Sequence, residues 1–354
     1  MSRFFSSKYA SLTPYTPGEQ PQDRSYIKLN TNESPFPPSP LAQRMARQAV
    51  GDLQLYSDPE CRSLIAAGAQ VLGVAPEELI FCNSSDELLD FAFMAFCDKE
   101  HPAAFANITY GFYPVFAKFN GVPYEEIPLR DDFTLDPDDY IGLNRTIFIA
   151  NPNAPTGLAL PLSDIERIVA GNPDSVVVVD EAYVDFGGES ALPLTRKYDN
   201  LLVCRTFSKS RSLAGGRLGF GVANPALIAD LNTIRYSTNP YNVNRVSMAA
   251  GVGALLDTEY FETCCAEIQR VRAWTAEQLR ALGFTLTDSK TNFLFAKTPV
   301  IGGQALYLAL KERGVLVRHF ETPLLRDYNR ITVGSAEQMQ EFLRILRGIL
   351  EDAT

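Results

Sequence analysis

The chain has 354 residues, more than one hydrophobic core usually holds, so two domains are predicted. Its formal net charge of −10 at pH 7 argues against a nucleic acid or an anionic membrane as the general partner. The sequence has no apolar stretch of the roughly 18 residues that a membrane-spanning helix needs, and its polar, Pro-rich start does not resemble a signal peptide. Two histidines, His101 and His319, are too few for a His-rich metal site, so no metal is expected.

The cysteines indicate a compartment. Six are present, without the Cys-x-x-Cys spacing of metal and redox sites, and most lie in apolar runs. Buried free thiols are therefore expected, and these fit a reducing, cytoplasmic environment. Hydrophobic residues at 46% and charged residues at 21% match globular averages, so disorder is not expected.

The first two thirds of the chain have an α/β pattern. Residues 1–30 are rich in Pro, Ser and Thr and are interpreted as an irregular N-terminal arm. From about residue 60 to 235, strand-like apolar runs alternate with helical patterns, which is typical of a largely parallel sheet. The clearest strand-like runs are 146–151, 175–180 and 200–206. We therefore predict a large α/β domain over residues 31–238.

The last third of the chain has a different pattern, which predicts a smaller α+β domain over residues 239–354. A long helix is expected over residues 257–282. Short strands are expected at 292–296, 315–318 and 330–333. The final helix opens with Ser335-x-x-Gln338, a capping-box pattern, and carries one apolar face.

Polar residues follow each of the three clear strands at the place where the strand ends. The first strand runs into Asn151-Pro-Asn-Ala-Pro-Thr-Gly157, the second into Asp180-Glu-Ala-Tyr183 and the third into Thr206-Phe-Ser-Lys209. The carboxyl ends of parallel strands meet at one edge of a sheet, and ligands bind beyond that edge. The three segments are therefore expected to form one site.

Asp180 and Lys209 are the candidate catalytic residues in these segments. Asp180 follows four valines, and a poorly solvated carboxylate normally needs a cationic partner, such as a protonated ring nitrogen. The alternative for Asp180 is a helix cap or a strand-end ion pair. Lys209 is expected to be a nucleophile, because a desolvated lysine amine can bond covalently to a carbonyl compound. The alternative for Lys209 is a solvated surface charge.

Two further features suit an anion such as a phosphate. Arg217 lies in Leu213-Ala-Gly-Gly-Arg-Leu-Gly-Phe220, where glycines permit close backbone approach and the guanidinium can bind in a bidentate manner. Ser84-x-x-Glu87 is a capping-box pattern that predicts a helix start, and the free N–H groups of a helix start bind anions. We assign this contact to Ser85 and to the backbone of Asp86. The alternative is that the box only stabilises the helix.

In this order and spacing, the motifs resemble those of fold-type I aminotransferases, which use pyridoxal 5′-phosphate (PLP), across roughly residues 30–335. Within that class the chain is similar to the histidinol-phosphate aminotransferases. The stretches that carry this closer resemblance are Leu29-Asn-Thr-Asn-Glu-Ser-Pro35, Leu55-Tyr-Ser-Asp-Pro-Glu60, Pro240-Tyr-Asn-Val-Asn244 and Asn329-Arg-Ile-Thr-Val-Gly334. The resemblance implies transamination of L-histidinol phosphate with 2-oxoglutarate, giving imidazole-acetol phosphate and glutamate in histidine biosynthesis.

The resemblance also implies a fold and a role for each residue around the PLP ring. The fold would be α/β, with a mostly parallel central sheet in the large domain and a smaller α+β C-terminal domain. Lys209 would hold PLP covalently and move a proton between the substrate Cα and the C4′ atom of the cofactor. Asp180 would bind the ring N–H, which keeps the ring an electron sink. Tyr183 would donate to the phenolic oxygen of the ring, and Tyr110 would stack on its face.

Further residues would hold the phosphate and the substrates. The residues implied for the phosphate are Ser85, Asp86 through its N–H, Thr206, Ser208, Arg217 and Tyr56. In the family this tyrosine comes from the partner subunit, which implies an obligate homodimer. The substrates would be a small anionic amino donor and a 2-oxo acid, and paired arginines suit such groups. The residues implied for the substrates are Arg330, Arg318, Tyr15 and Asn32; the alternative for Arg330 is a surface arginine.

The chain departs from the family pattern in two places. The family usually reads Asn-Asn-Pro-Thr-Gly, and its second Asn contacts the ring oxygen, whereas this chain has Ala154 at that position, preceded by Asn153. Either Asn153 reaches the ring, or Tyr183 makes the contact alone. Arg211 adds a charge close to Lys209 that the family usually lacks, and this bears on substrate preference.

Other functions are alternatives. A threonine-phosphate decarboxylase would use the same cofactor to release CO2, although Pro240-Tyr-Asn-Val-Asn244 favours the aminotransferase; a broader aromatic amino-acid aminotransferase is a further alternative. A regulator with a PLP fold would carry a basic helix-turn-helix segment, which we do not find in the sequence. A nicotinamide-dependent dehydrogenase would need Gly-x-Gly-x-x-Gly after its first strand, and we find no such motif.

Overall fold

The computed structural model describes residues 2–10, 12–13 and 18–353. Within these residues the strands are β1 (Ile27–Leu29), β2 (Leu79–Cys82), β3 (Ala103–Ala106), β4 (Tyr124–Ile127), β5 (Thr146–Ala150), β6 (Val177–Asp180), β7 (Leu201–Thr206), β8 (Gly219–Ala223), β9 (Thr285–Leu286), β10 (Phe293–Lys297), β11 (Val315–His319) and β12 (Asn329–Thr332). The α-helices are α1 (Pro40–Ala49), α2 (Arg62–Leu72), α3 (Ser84–Phe96), α4 (Tyr113–Asn120), α5 (Leu162–Ala170), α6 (Pro225–Thr238), α7 (Arg245–Leu256), α8 (Thr258–Ala281), α9 (Gly303–Glu312) and α10 (Ala336–Ala353). Among the described residues, none of these helices combines the length and the apolar character that a membrane crossing requires.

The larger sheet has seven strands in the order β2-β8-β7-β6-β5-β3-β4. Strand β8 is antiparallel to both neighbours, and the other pairs are parallel. The strands predicted at 146–151, 175–180 and 200–206 are confirmed as β5, β6 and β7, which lie side by side. The predicted fold class, α/β with a mostly parallel central sheet, is confirmed, and the three polar segments share one edge.

Both faces of this sheet are covered, which explains why its central strands carry apolar side chains on both faces. Successive side chains of a strand point to opposite faces. On one face Phe148 and Val178 pack into a core that includes residues of α3, α4 and α6. On the other face Ile149 and Val179 pack against α5. Packing on two sides fixes the strand ends that carry the site.

The smaller sheet has five strands in the order β1-β11-β12-β10-β9. The strands predicted in the last third are confirmed as β10, β11 and β12, and the predicted long helix is α8. At the start of α10, Ser335 and Gln338 form the predicted capping box. Strand β1 was not predicted, because three residues in a polar, Pro-rich segment give little periodic signal. Its parallel pairing with β11 and the complete burial of Leu29 hold it in place.

The hydrophobic cores suggest where the two domains meet. Helix α7 packs against α1 and α2, and its Met248 and Val252 belong to the core that contains Phe81 of the large sheet. Helix α8 instead contributes Ile268 and Leu279 to the core beneath the small sheet. We propose that the domains divide at the junction of α7 and α8, later in the chain than the predicted boundary at residue 238.

Candidate active site

The carboxyl ends of β5, β6 and β7 open into two adjoining cavities. The first cavity, of about 460 Å³, contains Asp180 and Arg217 in its wall. The second cavity, of about 630 Å³, contains Arg318 and Arg330. The residues that line both cavities are Thr31, Tyr110, Ala154, Tyr183 and Lys209. The predicted lysine and tyrosine therefore lie between the cavity that contains Asp180 and the cavity that contains the two arginines.

Asp180 ends strand β6 and is buried. Its Oδ2 accepts a hydrogen bond from the hydroxyl of Tyr113 at 3.1 Å, and its Oδ1 accepts one from the N–H of Ala182 at 3.1 Å. Burial raises the pKa of this carboxyl from 3.8 to about 6, since the hydrogen bonds only partly offset the lost hydration. Neither hydrogen-bond partner is a cation, so the carboxylate can still pair with a positively charged N–H of a ligand.

Lys209 follows the end of β7 and reaches the wall between the cavities. Its Nζ donates to the carbonyl oxygen of Thr31 at 3.2 Å and lies 5.8 Å from the centroid of the Tyr183 ring. The next residue, Ser210, donates to the carboxylate of Asp185 at 2.5 Å, which anchors the turn that carries the lysine. The amine is therefore held in the wall that the two cavities share, where ligands in both cavities can reach it.

The phenol of Tyr183 also lies in this shared wall. Its oxygen accepts a hydrogen bond from the side-chain amide of Asn32 at 2.9 Å. Its ring packs edge-on against Phe293, with centroids 5.2 Å apart. Tyr110 lines both cavities as well, and its hydroxyl donates to the carboxylate of Asp86 at 2.7 Å. The two tyrosines thus both lie in the wall that the two cavities share.

Hydroxyl groups and one guanidinium form one end of the first cavity. The Oγ of Ser208 accepts hydrogen bonds from Thr206 at 3.1 Å and from Arg217 at 3.5 Å. A hydroxyl that accepts twice still has its own hydrogen to donate, so Ser208 can donate to an anion in the cavity. A Cβ at Gly219 would lie 2.3 Å from the backbone N of Ser85, so only glycine lets β8 approach the start of α3 this closely.

The start of α3 differs in detail from the prediction. The helix begins at Ser84, but the carboxylate of Glu87 accepts from the N–H of Asn83 rather than from that of Ser84. The N–H of Asp86, predicted to bind phosphate, donates instead to the Oγ of Ser84 at 3.2 Å, because that hydroxyl turns back over the first turn. The Asp86 carboxylate forms an ion pair with Arg217 at 2.7 Å.

The structure corrects two expectations about the departures from the family pattern. Asn153 does not reach the site: its amide donates to the carbonyl of Ile108 and the hydroxyl of Thr156, and it lines a separate cavity. Ala154 takes the position in the wall of both cavities. Arg211 also points away, because its guanidinium donates to the carbonyl of Ala254 and stacks 4.1 Å from the centroid of the Phe261 ring.

The remaining predicted residues lie in different places. Arg318 and Arg330 face each other across the β11–β12 pair and line the second cavity. Asn32 lines the same cavity, and Tyr15 lies outside the described residues. Tyr56 is 79% exposed and lines neither cavity; its ring stacks on that of another exposed tyrosine at 4.6 Å.

Sequence reasoning missed Tyr113, which is buried at the start of α4 and hydrogen-bonded to Asp180. Burial raises the pKa of this phenol well above its usual range, so it stays protonated and donates to the carboxylate. Its position three residues after Tyr110 was the available signal. Sequence reasoning also missed the apolar part of the second cavity, formed by Ile108, Phe320 and Leu325.

This fold and site define a class of protein. The family described as aminotransferase class I and II matches residues 24–346, and the chain belongs to that family. Enzymes of this class depend on PLP, so both the predicted family and the predicted cofactor are confirmed.

The particular relatives narrow the class. A histidinol-phosphate aminotransferase of Brachyspira hyodysenteriae is 47% identical over 354 residues, which cover 99% of this chain and 100% of that protein. One of Clostridium acetobutylicum is 43% identical over 344 residues, covering 97% of this chain and 98% of that protein. The crystal structure of histidinol-phosphate aminotransferase from Sinorhizobium meliloti, in complex with PLP, has the same fold, with a TM-score of 0.90, 24% identity and coverage of 100% of this chain and 99% of that one.

The first cavity fits PLP. A buried carboxylate without a cationic partner suits the protonated ring nitrogen, since the positive charge would offset the burial that raises the pKa of Asp180. Lys209 presents an amine in the wall, and Arg217 with Ser208 presents donors for a phosphate at another part of the same cavity.

The raised pKa of Asp180 predicts an unusual stability profile for the PLP-free protein. The folded carboxyl holds its proton more tightly than the unfolded one, so this stabilising contribution is complete below pH 3.8 and lost as the pH rises through about 6. Asp180→Asn removes the charge. We expect it to stabilise the PLP-free protein by up to about 3 kcal/mol at pH 8 and by less at pH 5.

Urea unfolding of both proteins without PLP, at pH 5 and pH 8, measures this difference. Asp174→Asn, at an exposed position before β6, is the control and should change neither value. An Asp180→Asn variant that is less stable than the native chain at pH 8 would show that the carboxylate is not strained by burial.

Proposed function

We propose that this chain transfers the amino group of L-histidinol phosphate to 2-oxoglutarate, giving imidazole-acetol phosphate and glutamate, as a step of histidine biosynthesis. The observation that carries the proposal is the pair Arg318 and Arg330 in a cavity that shares Lys209 with the first one. Both substrates carry anionic groups, and guanidinium groups bind carboxylates and phosphates in a bidentate manner. The full-length relatives named histidinol-phosphate aminotransferase support the same substrate.

Each residue of the first cavity has a distinct task in this proposal. PLP, when bound, supplies an electron sink for the negative charge that forms at the substrate Cα. Asp180 holds the ring N–H, and Tyr113 with Ala182 keeps its carboxylate oriented. The Nζ of Lys209 holds the cofactor and, once released, carries the proton taken from Cα. Tyr183 donates to the ring oxygen.

The two ends of the site bind anions in different ways. Ser85, Thr206, Ser208 and Arg217 line the first cavity and hold the cofactor phosphate. The Asp86 carboxylate forms an ion pair with Arg217 and holds the guanidinium at this cavity. The ion pair neutralises part of the positive charge that the guanidinium offers to the phosphate. Arg318 and Arg330 bind the substrate's anionic groups in the second cavity.

The apolar part of the second cavity favours a second candidate activity. Ile108, Phe320 and Leu325 lie in the same cavity as the two arginines and suit a flat ring, which imidazole, phenylalanine and tyrosine all have. An aromatic amino-acid aminotransferase is therefore the second candidate. Aromatic substrates lack the phosphate, so we expect them to be the weaker substrates.

A substrate panel tests these proposals. Purified protein saturated with PLP is mixed with L-histidinol phosphate, threonine phosphate, phenylalanine or tyrosine, and the absorbance of the bound cofactor is followed without an acceptor. We expect the fastest change with histidinol phosphate and glutamate formation after 2-oxoglutarate is added. No change with histidinol phosphate, or CO2 release from threonine phosphate, would overturn the proposed substrate.

We propose a homodimer in which Tyr56 completes the phosphate site of the partner. The support is its exposure: Leu53 and Leu55 are 55% and 58% exposed, next to Tyr56 at 79%. Exposed apolar residues in such a run mark interaction surfaces. Among the described residues that line the first cavity the only tyrosines are Tyr110 and Tyr183, and the resemblance implies that both contact the ring and not the phosphate.

Subunit complementation tests this arrangement. Lys209→Ala and Tyr56→Ala proteins, unfolded together and refolded as mixed dimers at limiting PLP, form hybrids with one complete site. We expect recovery of about a quarter of the native activity, since about half of the dimers are hybrids with one of two sites intact. Mixing Lys209→Ala with Asp180→Asn is the control: both residues belong to one chain, so no activity should return. Activity no higher than the sum of the separate variants would contradict the shared site.

We also propose a cytoplasmic location. The six cysteines are free and buried in the described structure, as predicted, and no pair of them forms a disulfide there. Free thiols are typical of proteins kept in a reducing compartment.

A further inference from the structure

We infer that Asn32 is a positioning residue that acts through Tyr183. Its side-chain amide donates to the phenol oxygen and thereby directs the phenol hydrogen into the first cavity, toward the ring oxygen of PLP. The inference rests on the proposed function, since it takes PLP to occupy that cavity. It gives Asn32 a different task from the substrate contact that the resemblance implies.

The hydrogen bonds around Asn32 fix which way its amide faces. The backbone N–H of Asn32 donates to the Oγ1 of Thr332 at 3.0 Å, so that hydroxyl has its own hydrogen left to donate. It donates to the Oδ1 of Asn32 at 3.0 Å. The Nδ2 group is therefore the one that faces the Tyr183 oxygen, at 2.9 Å. Asn32 and Thr332 are 1% and 2% exposed, so water does not compete for these groups.

The backbone holds Asn32 in place as well. Its φ angle is 56°, in the left-handed region that asparagine, aspartate and glycine adopt more readily than other residues. Its carbonyl oxygen accepts a hydrogen bond from the side chain of Asn292 at 3.0 Å. The amide is therefore presented to Tyr183 from a fixed position, by a segment that pairs with the small sheet.

The phenol hydrogen is thereby left for the cavity. A tyrosine hydroxyl has one hydrogen, and its oxygen already accepts from Asn32. Ala154, in the wall of both cavities, has no polar side-chain atom to offer. The carboxylates that line the first cavity already have partners: Glu33 pairs with Lys28, Asp86 pairs with Arg217, and Asp180 accepts from the Tyr113 hydroxyl. Two cations lie near the phenol: Lys209, whose Nζ is 5.8 Å from the ring centroid, and Arg330, which lies over the Phe293 ring that packs against Tyr183. Both are donors, so neither can accept the phenol hydrogen.

A hydrogen bond donated to the ring oxygen stabilises its ionised form. Loss of that bond raises the pH midpoint of the cofactor absorbance change and weakens PLP binding. The expected size is about one pH unit, because a hydrogen bond to a charged group is worth roughly one to two pKa units. A role in folding alone would change neither quantity at a pH where the protein is folded.

Two variants of Thr332, neither of which adds a charge, test the inference. Thr332→Val removes the hydroxyl that orients the Asn32 amide, so the amide can turn its oxygen to the phenol and take the phenol hydrogen; Thr332→Ser keeps the hydroxyl. We expect Thr332→Val to raise the midpoint by about one pH unit and weaken PLP binding about tenfold, measured by reconstituting the PLP-free protein, while Thr332→Ser leaves both near the native values.

Asn32→Asp gives a second, independent reading. Aspartate keeps the shape and tolerates the same φ, but its carboxylate can only accept, so the phenol hydrogen turns away from the cavity. We expect a larger shift than with Thr332→Val. Midpoints within about 0.2 pH units of native in both Thr332→Val and Asn32→Asp would overturn the inference. Native protein that binds no PLP would instead overturn the proposed function, and neither readout uses histidinol phosphate.

Discussion

Replacement of Lys209 by alanine is expected to lower the single-turnover rate with histidinol phosphate by about 10⁴-fold or more. The structure places Lys209 in the wall common to both cavities, next to the cavity that is proposed to bind the substrate. Among the described residues that line both cavities, Lys209 is the only one with an amine. The side-chain hydroxyls of Thr31 and Tyr110 donate to Glu33 and Asp86, and Ala154 has no polar side-chain atom. We therefore expect no other residue of this wall to replace Lys209 in the proton transfer.

Two comparisons separate the chemistry of Lys209 from its charge. Lys209→Arg keeps a cation in the wall but offers no nucleophilic amine, so we expect it to be as slow as the alanine variant. Lys290→Ala removes a lysine whose partner is the exposed Asp288 and should retain the native rate. A Lys209→Ala variant with more than about a tenth of the native rate would remove the lysine from the reaction.

Replacement of Asp180 by asparagine is expected to have the second-largest effect, lowering kcat/KM by about 10² to 10⁴-fold. Loss of one partner of a buried charge pair costs about 3–5 kcal/mol, and each 1.36 kcal/mol is a factor of ten in rate. Asparagine fits the same space beside Tyr113 and Ala182 but does not stabilise a charged ring N–H. Steady-state assays with saturating PLP measure the loss.

The two effects of Asp180→Asn have opposite signs, and this distinguishes a functional carboxylate from a structural one. The variant should be less active than the native chain but more stable without PLP at pH 8, because burial raises the pKa of Asp180 to about 6. Added PLP should stabilise the native protein more than it stabilises the variant, since PLP binds the native protein more tightly than the variant. An inactive variant that is also unstable without PLP would indicate a structural role.

Local patterns predicted most of the large domain and the location of the site. Four consecutive valines before Asp180, and the apolar run before Thr206, are signals that depend on neighbouring residues alone. Because β5, β6 and β7 pair in parallel, their carboxyl ends lie at one edge of the sheet. Side chains that point from these ends into a cavity, such as those of Asp180 and Lys209, were predictable for this reason.

The directions of loop side chains were not predictable, because distant residues decide them. Asn153 turns away from the site because Ile108 and Thr109, from another strand end, offer hydrogen-bond partners. Arg211 donates to a carbonyl near the end of α7 and stacks on Phe261 of α8. Phe261 packs against the core beneath the small sheet. Strand β1 forms only because β11 offers an edge to pair with.

The most direct test of the whole account locates the cofactor. Protein purified with PLP is reduced with borohydride, digested, and analysed by peptide mass spectrometry with Lys209→Arg protein as the control. The structure predicts a phosphopyridoxyl group on the peptide that contains Lys209 in the native protein and no such group at that position in the variant. Active native protein with an unmodified Lys209, or with the group on another lysine, would contradict the account.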